Sequence, residues 1–148
     1  MAEPEYKVES GPFDEQLMSS VSHLATEIFG AIDETDLHWR LKHLPVATLT
    51  LAFFDGDLIG FKFGHALSTR RYQSWLGGVL ARARRQGVAR RLMELQHEWV
   101  AKNGFSSIET GATHDNSAML ALNRETGFRV IGEYNRDGVA RIMHYKEL

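Results

Sequence analysis

The segment Arg82-Ala83-Arg84-Arg85-Gln86-Gly87-Val88-Ala89-Arg90-Arg91 gathers five arginines around one glycine, directly ahead of an apolar stripe at helical spacing. A helix start leaves backbone N–H groups without intrahelical partners and carries the positive end of the helix dipole. Glycine lets a ligand approach the backbone closely, and guanidinium groups add charge. Phosphate is the guest that these features suit. A turn glycine followed by a solvated basic helix face is the alternative that the residues alone leave open.

Other chemistries find little support. His97-Glu98-x-x-Ala101 opens like a zinc-protease motif but lacks the second histidine, and no metal is expected. Neither a dinucleotide fingerprint nor a Walker loop occurs. Cysteine is absent, which excludes disulfides, a thiolate nucleophile and thiolate-ligated metal. Lys and Arg number 17 against 19 Asp and Glu, so no overall field draws the chain to nucleic acid or an anionic membrane. The acidic start Met1-Ala2-Glu3-Pro4-Glu5 has no signal-peptide character, and the longest apolar stretch, Leu44 to Phe54, is too short to span a bilayer. A cytoplasmic protein is the expectation, and its 148 residues read as a single domain over 1–148.

The elements that must position the basic turn follow from periodicity. Tyr6 to Ser10 alternates as a short strand. Leu17, Val21, Leu24 and Ile28 form one helical stripe; Leu37, Leu41 and Leu44 form a second, capped by Asp33 or Thr35 and ended by Pro45. Ala47–Phe54 and Leu58–Leu67 make a hairpin around Asp55-Gly56. Tyr72–Leu80 is a further strand whose Gly77-Gly78 suggests a bulge or a close approach by another backbone or a ligand. Val88, Leu92, Leu95 and Trp99 mark the helix after the turn. Ser106–Thr110 is a buried strand, Asp115–Thr126 a helix, and Phe128–Tyr134 with Val139–Glu147 a hairpin around Asn135-Arg136-Asp137-Gly138. The order β-α-α-β-β-β-α-β-α-β-β predicts an α/β fold with a mixed, mostly antiparallel twisted sheet of about seven strands and four helices.

With these elements in place, Arg84-x-x-Gly87-x-Ala89, Asn116 and Gly127-Phe128 together resemble the signature, helix-opening Asn and closing Gly-Phe of the GCN5-related N-acetyltransferase (GNAT) family. The resemblance implies a cofactor-binding core over about 72–134 and acceptor-side helices over about 13–44. It implies acetyl-CoA as cosubstrate, with its pyrophosphate held by Arg84, Arg85, Gln86, Gly87, Val88, Ala89 and Arg90. The pantetheine arm would lie along Gly78, Val79 and Leu80 where the fourth and fifth strands splay apart, with the Val79 N–H facing the acetyl carbonyl and Asn116 adding a side-chain contact. Acetyl transfer to a primary amine, directly in a ternary complex, is the implied reaction.

The pattern is incomplete in one place. The family commonly carries a tyrosine four residues before the closing Gly to protonate the leaving thiolate, and Asn123 stands there. Asn123 cannot serve as that acid, although its amide can bind the cofactor arm. Tyr134 is another phenol, which can equally be a packed aromatic. An ammonium acceptor must lose a proton before attacking; Glu109, then His65 and His114, are the candidate bases, each with a structural role as its alternative. Phe29, His38 and Trp39 are the candidate acceptor-binding residues. A noncatalytic acyl-CoA-binding module of the same fold is the alternative function, and an exposed sheet edge allows a homodimer.

Overall fold

Two aspartates begin the first two helices. Asp14 Oδ1 accepts from Leu17 N–H at 2.7 Å and starts α1, Glu15–Phe29; Asp33 Oδ1 accepts from Asp36 N–H at 2.9 Å and starts α2, Glu34–His43. This settles the second cap on Asp33 rather than Thr35. In the computed structural model, which describes residues 3–148, the helices follow β1, Glu5–Ser10. Met1 and Ala2 of the acidic start lie outside the described residues.

The remaining elements keep the predicted order: β2 Thr48–Phe54, β3 Asp57–Ala66, β4 Arg71–Val79, α3 Val88–Lys102, β5 Ser107–Thr113, α4 Ser117–Glu125, β6 Arg129–Arg136 and β7 Val139–Glu147. They form one seven-stranded sheet in the order β1-β2-β3-β4-β5-β7-β6. Only β4 and β5 are parallel. In the closing hairpin the second strand, β7, pairs with β5 and leaves β6 at the edge. The hairpin differs from expectation in its turn: β6 runs on to Arg136, so the turn is the two-residue Asp137-Gly138, with φ of 52° and 81°, the left-handed pair a primed hairpin turn requires.

Helices cover both faces. α1 and α2 bury Met18, Val21, Leu24, Leu37 and Leu41 against Leu49, Leu51, Phe61 and Phe63. α3 lies on the other face with Val88, Leu92, Met93 and Val100 buried. Its buried face also takes in Gln96 and His97, while Leu95 and Trp99 of the predicted stripe are half-buried. Apolar spacing alone misaligned that face because two of its inward positions are polar.

The ladder between β4 and β5 is short. It runs from Arg71↔Ser107 to Ser74↔Thr110 and stops, while β4 stays paired with β3 as far as Val79↔Gly60 and β5 stays paired with β7 as far as Thr113↔Arg141. The two central strands therefore fork after Ser74.

Below the fork the packing is tight. A Cβ at Gly64 would lie 2.6 Å from Tyr72 Cε2, 2.8 Å from the Gln73 carbonyl oxygen and 2.9 Å from Gln96 Nε2, whereas one at Gly132 would have nothing within 4 Å. Gly64→Ala is expected to cost about 1–3 kcal/mol in urea unfolding, and Gly132→Ala less than about 0.5 kcal/mol. Equal effects at the two positions would refute this account of the sheet centre.

Candidate functional site

The fork leaves one edge of β4 without a strand partner. Leu80 N–H donates to the Ile59 carbonyl at 2.8 Å. Bonded pairs alternate along an antiparallel ladder, so Gly78 also spends its N–H and carbonyl on β3, and Gly77 and Val79 turn theirs toward the fork. The Val79 carbonyl is taken by Arg84 Nε–H at 3.0 Å, which ties the following turn to the strand. Of the expected Gly78, Val79 and Leu80, the first two line the slot, and the open backbone is that of Val79 together with Gly77. Gly78 is needed for another reason. A Cβ there would sit 2.9 Å from Ile28 Cγ2 and 3.0 Å from Phe29 Cζ, so its absence lets α1 close over the strand.

The turn after β4 is rich in free donors. Arg84 N–H bonds the Ala81 carbonyl at 3.3 Å, and the next backbone bond is from Arg91 N–H to the Gly87 carbonyl at 3.0 Å. Among the described residues, the amides of Arg85 through Arg90 meet no backbone or side-chain acceptor. Left-handed backbone at Arg85 and Gly87, with φ of 63° and 77°, curls the chain here, and Gly87 caps α3. A cavity of about 550 Å³ runs from this turn along Gly77, Gly78 and Val79 to Asn116, Met119 and Leu122 of α4, and no carboxylate lines it. Donors, a helix start, cations and a narrow apolar slot suit a phosphorylated thioester with an extended amide-bearing arm.

Arg85 and Ala89 line the cavity; the Val88 side chain is buried in the core, and Arg90 is tied to Glu125 at 2.7 Å, so these two offer their amides alone. Gln86 lies on the exposed outside of the turn. Asn116 Oδ1 caps α4 by accepting from Met119 N–H at 3.2 Å, and the residue also faces the cavity. Asn123, expected to contact the cofactor arm, is 0 % exposed and lines neither the slot nor the fork, and neither amide atom has a partner among the described residues.

None of the three candidate bases lies in the gap. Glu109 Oε2 accepts from Arg71 Nε and Nη2 at 2.9 and 2.7 Å, in the stretch where β4 and β5 are still paired. His65 is buried; its Nδ1–H donates to the Ala66 carbonyl at 3.1 Å, and burial lowers its pKa. His114 is exposed and paired with Glu133. Tyr134 lies across Gly111, where an added Cβ would meet its Cζ at 3.0 Å and overlap its hydroxyl.

On the acceptor side, Phe29 lines the slot and two neighbouring cavities. His38 and Trp39 do not join it: His38 Nε2 pairs with Glu15 at 3.1 Å, and Trp39 is 53 % exposed and packs on His43. The adjoining cavity of about 650 Å³ is lined instead by Asp33, Asp36, Arg40, Trp75, Arg136, Asp137 and Arg141. Trp75 packs against two guanidinium groups, with Arg40 Cζ 4.4 Å and Arg136 Cζ 4.7 Å from its ring.

The residue that sequence reasoning overlooked is Lys62. It lies in mid-strand on β3, on the same face as Gly60 and Gly64, only 8 % exposed, and lines both the slot and the fork. Burial brings its pKa down to about 8. A lysine in the otherwise apolar run Leu58–Leu67 was the available signal. Its neighbour His97, buried and 3.0 Å from Lys146 Nζ, has its pKa depressed to about 3. Gln96, Asn123 and His144 share this layer, each with a buried side-chain nitrogen or oxygen unpaired among the described residues.

Comparison with known proteins agrees with this geometry. Residues 17–128 match the model of the Acetyltransferase (GNAT) family. No curated protein sequence matches the chain. Among solved structures, the ribosomal-protein-S18-alanine N-acetyltransferase from Escherichia coli superposes with a TM-score of 0.80 at 15% identity, covering 97% of this chain and 94% of that one. Ard1 from Thermoplasma volcanium gives 0.76 at 20%, covering 97% of each chain. A GNAT family acetyltransferase from Elizabethkingia anophelis, with acetyl-CoA bound, gives 0.73 at 13%, covering 98% of each. At these identities the likeness shows the fold.

Lys62 should leave a mark on stability. Below pH 8 both folded and unfolded chains carry its charge, and the folded one bears the full burial penalty. From about 8 to 10.5 the folded chain has lost a proton that the unfolded chain still binds, so stability rises with pH across that window. Lys62→Met is therefore expected to stabilise by about 1–3 kcal/mol at pH 7 and by less than half as much near the top of the window, measured by urea unfolding. A destabilised variant would show that the ammonium has a partner.

Proposed function

The chain belongs to the acetyltransferase (GNAT) family, and from that premise we propose that it moves the acetyl group of acetyl-CoA to a primary amine by direct transfer in a ternary complex. The observation that carries this reading is the run of unpartnered amides from Arg85 to Arg90 beside the open edge of β4. Acetyl-CoA supplies an activated thioester and a diphosphate handle. The turn amides hold the diphosphate, with the α3 dipole and Arg85 adding favourable charge. The Gly77 and Val79 amides hold the arm as a further strand would, and the Val79 N–H points at the carbonyl oxygen that gains charge during transfer. Arg84 keeps that amide aimed by holding the Val79 carbonyl.

The acceptor enters through the cavity around Trp75. Its rim mixes Asp33 and Asp137 with Arg136 and Arg141, which suits an acceptor that carries a carboxylate as well as its amine, such as an amino acid or a peptide. Glu109, His65 and His114 line neither cavity, so water carries the proton from the acceptor ammonium. With no cysteine in the chain, no acyl-thiol enzyme forms, in keeping with direct transfer. Asn123 in place of the phenol favours a second reading, an acyl-CoA-binding module without turnover.

Calorimetric titration with acetyl-CoA, followed by thiol-release assays over amines, amino acids and peptides, separates the two. Binding with release for one acceptor class supports the enzyme, binding without release for any acceptor supports the binding module, and no binding overturns both. Gly87→Asp places a carboxylate where the diphosphate is held and should weaken acetyl-CoA at least tenfold, with the circular dichroism spectrum unchanged. Unaltered affinity would remove the phosphate assignment.

A further inference from the structure

Among the described residues, Lys62 is the one buried cation at the junction of the slot and the fork. It faces Gly77 across the β3–β4 ladder, and a Cβ at Gly77 would lie 3.0 Å from Lys62 Cγ, so the glycine leaves room for the lysine stem to lean over β4. Lys62 lines the slot of about 550 Å³ and the smaller cavity of about 130 Å³ between the forked strands, beside Ser74 and Thr110. No carboxylate lines either cavity, and Lys62 has no ion-pair partner among the described residues. Apart from the Tyr134 phenol across Gly111, the titratable and charged groups facing this region are basic: His97 on α3, Arg141, His144 and Lys146 on β7, and Arg84 and Arg85 on the turn. The protein supplies no counter-charge of its own, so the arrangement is complementary to an anion that appears in the fork during the reaction.

We infer that Lys62 is the acid that meets the departing sulfur, in place of the phenol that Asn123 replaces. This inference rests on the acetyl-CoA reading above. With the arm along Gly77 and Val79, its thioester end lies at the fork. The neutral amine nitrogen of the acceptor bonds to the acyl carbon, the carbon–sulfur bond breaks, and its electron pair leaves on sulfur. The Lys62 ammonium gives that sulfur a proton and becomes a neutral amine. The proton shed by the acceptor nitrogen passes to water, and water returns one to Lys62. Tyr134, lying across Gly111 on the opposite face of the sheet, is the rival donor.

The test titrates the thiol of bound coenzyme A by the ultraviolet absorbance of its thiolate, in the wild type, Lys62→Met and Tyr134→Phe. An ammonium beside the sulfur should raise the thiolate-to-thiol ratio at a given pH at least tenfold in the wild type and in Tyr134→Phe relative to Lys62→Met. On the wild type alone, the Lys62 ammonium followed by carbon-13 NMR should titrate at least tenfold higher in proton affinity with coenzyme A than with desulfo-coenzyme A. In thiol-release assays Lys62→Met should lower kcat at least tenfold with a smaller change in KM for acetyl-CoA. A thiol that titrates alike in wild type and Lys62→Met, or that responds to Tyr134→Phe instead, overturns the role of Lys62 and leaves the cofactor reading standing. Failure of the wild type to bind coenzyme A overturns the cofactor reading, and this inference with it.

Discussion

The site depends on β4 and β5 ceasing to pair after four residues. Each strand has a stronger commitment elsewhere: β4 follows β3 up to Val79, and β5 follows β7 up to Thr113. Since β7 rather than β6 lies beside β5, the last hairpin draws that strand away, while Ile28 and Phe29 of α1 close on Gly78 and hold the end of β4 against the first half of the sheet. A fork inside a sheet leaves backbone donors unpaired, and such groups demand partners. The same feature that interrupts the fold therefore creates the demand that a ligand arm meets. The Arg84 bond to the Val79 carbonyl satisfies the acceptor at that edge and leaves the Val79 amide free.

A cost accompanies this arrangement in the layer between the sheet and α3 and α4. Lys62, Gln96, His97, Asn123 and His144 are all buried there, with little mutual satisfaction. A core chosen for stability alone would fill these positions with apolar side chains. Their concentration behind the fork, against the apolar packing of α1 and α2 on the opposite face, sets a chemical layer apart from a structural one.

Much of the fold was legible. Spacing located all four helices, Asp55-Gly56 marked a hairpin, and Gly77-Gly78 marked the strand where something unusual approaches. The order in which strands pair was not legible, because β6 and β7 carry similar alternation and only packing decides which lies beside β5. The turn at Gly87 could be read because its chemistry is local. The candidate bases failed for the opposite reason. Glu109 has its partner in Arg71, 38 residues away in the sequence, and no spacing rule reports such a pair. His38 and Trp39 failed because helical periodicity does not say which way an amphipathic helix faces a neighbouring cavity. Asp36, Leu37 and Arg40, on either side of them along α2, are the residues that line it.

Asn123 and Lys62 are better understood together than apart. A tyrosine at position 123 would bring a phenol from α4 toward the sheet; the shorter Asn123 is wholly buried and ends in amide atoms without partners among the described residues. The polar character of that position remains, while the acidic proton is gone. Lys62 approaches the same layer from the sheet side, with its charge unbalanced and its stem admitted by Gly77. Loss of a neutral acid from the helix and gain of a cation from the strand are compatible because both answer the same event, negative charge developing on sulfur. A cation answers it by Coulomb attraction even before a proton moves, and the absence of carboxylates around the slot keeps that attraction from being spent on the protein itself.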